Sequence, residues 1–152
     1  MKTYKFTNNQ KINLHAWAEW LEETDFLQGY RSLKKHAMTE TMTPNGPVCF
    51  CALGVFIEYS NSARFRDEPN EWGEYPCQMH VYIPECCTTT HLPDGFARKL
   101  GIYSNTRNSF QVNIIEMNDI LVYSFKEIAE EVRYLADNGC FTKETQEKLN
   151  SI

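Results

Sequence analysis

The sequence predicts a single helix-rich α+β domain carrying a small antiparallel sheet. Apolar residues recur three and four apart near both ends of the chain, which is helical spacing. Two short segments in between read as strands, and 152 residues suit one hydrophobic core.

The first helix is expected over residues 13–23, where Leu14, Trp17, Ala18 and Leu21 form an apolar stripe and Asn13 supplies the N-cap. A second short helical piece is expected over residues 30–36, bearing Arg31, Lys34, Lys35 and His36, and residues 39–47 form a turn-rich loop. The most apolar run, residues 48–57, reads as a central buried element. Small residues at Cys51, Ala52 and Gly54 favour a closely packed helix there, and a strand remains open because periodicity does not separate the two in short apolar runs.

Residues 60–90 are polar and loop-rich, an insertion in an otherwise regular chain, with a short strand at residues 81–83. Pro93 opens a compact helix that stops at Gly101. Residues 110–117 alternate like a strand and close in a turn at Asn118 and Asp119. Ser124 and Glu127 form a capping box, and Ile128, Val132 and Leu135 continue a helix to Asn138-Gly139. Thr142 opens the last helix. No repeat or linker divides the chain, so residues 1–152 are read as one domain.

Composition narrows the function classes. The chain is 42% hydrophobic and 13% aromatic, enough for a core, and 23% charged, which argues against wholesale disorder. The formal net charge of -5 disfavours duplex nucleic acid as a partner while leaving room for a local basic pocket. No run approaches the roughly 18 to 20 apolar residues of a membrane span. The first ten residues have a positive start without an apolar core, so no signal peptide is expected and the protein is placed in the cytoplasm. In that reducing compartment the six cysteines are expected as thiols or metal ligands.

Four ordered pieces carry a resemblance: Trp17 to Leu21; Cys51-Ala52-Leu53-Gly54-Val55; Leu92-Pro93 leading to Leu100-Gly101-Ile102; and Asn118-Asp119 followed by Ser124-Phe125-x-x-Ile128-Ala129. The pattern resembles a group of uncharacterised small phage and bacterial proteins. These share a Cys-(Cys/Ala)-Leu-Gly-(Val/Ala) element and a later Asn-Asp followed by Phe-x-x-Ile-Ala. The resemblance implies an accessory, anti-defence role. For a phage protein the compartment is the host cytoplasm, and the ligand class is a nucleotide second messenger of Thoeris or CBASS immunity.

Four groups of residues carry candidate chemistry. Cys51, at a helix start, is a possible nucleophile, or a small buried hydrophobe that allows close packing. Asn118 and Asp119 are placed to contact a ligand, with Asp119 suited to a ribose hydroxyl or to general-base work. The plainer alternative is that both side chains only stabilise a turn. Cys77, His80, Cys86 or Cys87, and His91 make a zinc alternative whose spacing fits no established motif. Arg31, Lys34, Lys35 and His36, with Arg64, Arg66, Arg98 and Arg107 elsewhere, offer forks and charges for phosphate. Trp17, Trp20, Tyr30 and Trp72 offer faces for a base, set against solvated charges and core tryptophans.

The reading that results is a binding protein for a small nucleotide-like ligand, working without a cofactor and as a homo-oligomer. Asn118, Asp119, Arg31, Trp17 and Tyr30 are its expected ligand contacts. The alternatives are a hydrolase using Cys51 or Asp119, and an inhibitor that contacts a host protein directly.

Overall fold

The computed structural model describes residues 3–36, 46–62, 90–102 and 109–152, omitting the side chains of residues 61 and 62. Six helices and a three-stranded sheet make up the α+β fold among the described residues. No helix among them is long and apolar enough to cross a membrane.

Helix α1 (Asn8–Glu23) begins five residues earlier than its apolar stripe implies. Thr7 and Gln10 form a reciprocal capping box that moves the start to Asn8. Asn13 is therefore not a cap. It lies buried inside the helix, and its Nδ2 donates to the Lys99 carbonyl at 3.1 Å.

The chain then enters the sheet through β1 (Leu27–Gln28), turns, and forms β2 (Lys34–His36) where a helical piece was expected. The basic residues there carry no apolar face for a helix to bury, and long-range pairing with β3 (Val48–Phe50) decides the conformation. The order is β1-β3-β2. The sheet is mixed rather than wholly antiparallel. Gln28 lies opposite Phe50 in a parallel pair, and Lys34 lies opposite the same Phe50 in an antiparallel one.

The apolar run splits into two elements. Its first residues are β3, and helix α2 (Ala52–Ser62) follows after the single residue Cys51. Both conformations considered for that run thus occur in succession. The end of α2 occupies residues 60–62 of the segment read as a loop. Residues 63–89, including the strand expected at 81–83, lie outside the described residues, as do residues 37–45, which take in most of the loop expected at 39–47.

Helix α3 (Asp94–Leu100) starts after Pro93 and ends at Gly101, whose φ of 70° is the left-handed C-cap foreseen from the sequence. Helix α4 (Phe110–Asp119) corrects the strand expected at 110–117. Its buried positions are Gln111, Ile114, Met117 and Asn118, a helical face that a period-two reading divides between two sides. Ser109 starts it by accepting the Val112 N–H at 3.2 Å. Asn118 and Asp119 consequently end a helix, not a strand.

Helix α5 (Phe125–Asn138) has the capping box of Ser124 and Glu127 and the left-handed Gly139, both as expected. Helix α6 (Lys143–Asn150) is capped by Thr142. The buried carboxylate of Glu131 accepts from both the backbone N–H and the hydroxyl of Thr142, which fixes α6 against α5.

The core lies where α1, α2, α3, α4 and α5 meet. Trp17, Phe56, Phe96, Ile114, Met117 and Val132 are fully buried in it. The α1 and α5 helices make the most extensive contact, flanked by a hydrogen bond between His15 Nε2 and Asp137 (2.8 Å) and an ion pair between Arg133 and Glu22. Burying these apolar faces is the main stabilising contribution.

Candidate functional site

One small pocket opens where the N-terminus of α2, the C-terminal end of α4 and the β1–β2 turn converge. Ser32, Cys51, Ala52, Leu53, Thr90, Ile114, Ile115, Asn118 and Asp119 line it. The space they leave is about 10 Å³, room for one water-sized group.

Asn118 organises this junction. It is 1% exposed, and all four hydrogen-bonding positions of its amide are occupied. Its Oδ1 accepts from the Ala52 N–H (3.2 Å) and from Gln28 Nε2 (3.0 Å). Its Nδ2 donates to the Gly29 carbonyl (2.9 Å) and to Asp119 Oδ1 (2.7 Å). A helix start, a strand end and a neighbouring carboxylate are thus held by one side chain. The structural role weighed for Asn118 is realised across the fold rather than within a local turn.

Asp119 is half-buried. Its Oδ1 accepts from Asn118 Nδ2 and from the Arg31 backbone N–H at 3.0 Å. Its Oδ2 has no partner among the described residues. Arg31 takes a left-handed φ of 65°, an uncommon conformation for a residue with a Cβ, and this turn presents its N–H to the carboxylate. The turn also places Ser32 on the pocket wall.

Cys51 is the residue immediately before α2, and its carbonyl accepts the Val55 N–H. Burial pushes its thiol from 9.0 up to about 11, against the lowering effect of the Gly54 and Leu53 backbone N–H groups; the Asp119 charge adds to the rise. The thiol is therefore protonated at neutral pH. A nucleophilic cysteine needs the opposite shift.

The remaining candidates are dispersed. Trp17 is 0% exposed, its Nε1–H donates to the Ala52 carbonyl at 3.0 Å, and its ring packs edge-on to Phe56. It supports the start of α2 from the core side. Trp20 stacks on Tyr59. Tyr30, 36% exposed, and the exposed Arg31 sit at the surface on the same turn as Ser32. Lys34 pairs with Glu58 at 2.9 Å, and His36 Nδ1 meets the Gly46 carbonyl.

His91 is exposed, with its Nδ1 2.9 Å from Thr90 Oγ1. The other proposed zinc ligands, Cys77, His80, Cys86 and Cys87, lie outside the described residues, as do Arg64, Arg66, Trp72 and Arg107. Three pocket contributors went unrecognised in the sequence: Ser32, Thr90 and the buttressing Gln28. Nothing local marks them, and Ser32 reaches the pocket only through the β1–β2 turn, in a segment whose sequence reads as helical.

No family model matches the chain, no curated protein matches it in sequence, and no solved structure matches it.

Proposed function

We propose that this chain is a binding protein that captures a small nucleotide-like ligand at the pocket of Cys51, Asn118 and Asp119. The unpartnered Oδ2 of Asp119 carries the reading: a carboxylate fixed through one oxygen offers the other as a pre-oriented acceptor. The exposed Arg31 and Tyr30 on the adjoining turn supply a guanidinium for phosphate and an aromatic surface for a base. The protonated Cys51 favours capture over covalent catalysis.

With about 10 Å³ available, only one ligand group enters the pocket, and the rest lies across the surface. Together with the phage-like motifs, this supports sequestration of an immune second messenger in the host cytoplasm. Calorimetric titration of wild-type protein and Asp119→Asn with a panel of cyclic nucleotides tests it. The variant should bind about 1 to 3 kcal/mol more weakly while remaining folded. A panel that fails to bind wild type, or undiminished affinity in Asp119→Asn, overturns the proposal.

A further inference from the structure

Ser32 is 7% exposed and lines the pocket, yet its hydroxyl has no hydrogen-bond partner among the described residues. Every fully buried polar side-chain atom among the described residues is satisfied, so the partnerless Ser32 oxygen is not sealed in the core but stays open to solvent at the pocket its residue lines. The pocket's other polar groups are largely engaged. The Ala52 N–H donates to Asn118 and the Cys51 N–H to the Leu33 carbonyl, while Thr90 Oγ1 meets His91. Among the described residues, two side-chain functions at the pocket remain free: the Ser32 hydroxyl and the Oδ2 of Asp119.

We propose that this pocket reads a hydroxyl group of the ligand, the ribose hydroxyl of a nucleotide, with Ser32 and Asp119 as its two contacts and Ser32 as the specificity-determining one. The inference rests on the nucleotide-binding reading and names the group that enters. A hydroxyl donates its proton to the carboxylate and accepts the proton of Ser32, so both free functions are used. An ammonium could donate to both oxygens but would leave the serine proton unused, whereas a hydroxyl uses it. A phosphate is repelled by Asp119, and the Cys51 and Ala52 N–H groups at the start of α2 are already taken. The available 10 Å³ suits a single oxygen and excludes a phosphate group.

A site built to bond a hydroxyl discriminates strongly against an analogue that lacks it, because its polar groups are then left buried and unpaired. The test titrates the full chain with adenosine 5′-monophosphate and cyclic di-adenylate, each beside its 2′-deoxy and 3′-deoxy counterparts where the ring permits. Deoxygenation at one position should weaken binding about tenfold or more. Ser32→Ala should weaken the ribose form by a similar factor and the deoxy form hardly at all. Its melting temperature should stay unchanged, because Ser32 gives up no bond within the chain.

Equal affinity for ribose and deoxy forms, or equal losses for both in Ser32→Ala, overturns the hydroxyl assignment and leaves nucleotide capture standing. Failure of every nucleotide to bind overturns both, and the pocket then holds a water only.

Discussion

Asn118, near the end of α4, caps the N-terminus of α2 from another element: its Oδ1 accepts the Ala52 N–H at 3.2 Å. Helix starts are usually capped by the residue just before the first turn, and here that residue is a cysteine. Replacing Asn118 with Ala strands the Ala52 N–H and the Gly29 carbonyl in a buried place. We expect a loss of about 2 to 6 kcal/mol in chemical denaturation, since each of the two stranded groups costs roughly 1 to 3. A loss below about 1 kcal/mol would show that the junction is held by other contacts.

Gly54 faces the β1–β2 turn so closely that a Cβ built on it falls on the Leu33 carbonyl. Backbone leaves little room to yield, so Gly54→Ala should lose about 1 to 3 kcal/mol or more, and Gly54→Val should fail to fold. Soluble expression and the denaturation midpoint read this out. A Gly54→Val protein as stable as wild type would contradict the close approach.

Much of the helical framework was legible in the sequence, for identifiable reasons. Ser124 with Glu127, Thr142, Pro93 and Gly101 are local signals, and each sits where its chemistry requires. The misread segments depended on distant partners. Lys34 to His36 become a strand only because β3 lies beside them, and the face of α4 alternates deceptively because Phe110, Val112 and Ile114 happen to fall two apart. Cys51, Asn118 and Asp119 each carry a signal in the sequence, and the fold brings these three together. Ser32 is silent in the sequence, since a lone serine in a basic segment carries no signal until the turn is known.

Val122 has a φ of 55° and is 59% exposed. A β-branched side chain is disfavoured in this left-handed conformation by about 1 to 2 kcal/mol, and exposure means that little packing offsets it. Val122→Gly should therefore raise stability by about 1 kcal/mol, after allowing for the entropy glycine adds to the unfolded chain. Thermal melts compare the two proteins, and a lower melting temperature would mean that the valine side chain stabilises the fold after all.

The Cys51 thiol holds its proton more tightly in the folded chain, since its value rises from 9.0 to about 11. Its contribution is fully present below pH 9.0 and is lost as pH climbs through about 11, when the folded state must release a proton it favours. Relative to Cys51→Ser, wild-type protein should lose on the order of 2 to 3 kcal/mol across that window. An unchanged difference between the two proteins from pH 8 to 11 would show that the thiol is not desolvated.

Capture of a nucleotide at Asp119 is tested by native mass spectrometry of the full-length protein purified from cells that make a cyclic nucleotide signal, with Asp119→Asn purified in parallel. The same spectra report the number of subunits. We predict a nucleotide mass retained by wild type and depleted in the folded variant. Wild-type protein carrying no added mass, or equal retention in both proteins, would contradict it.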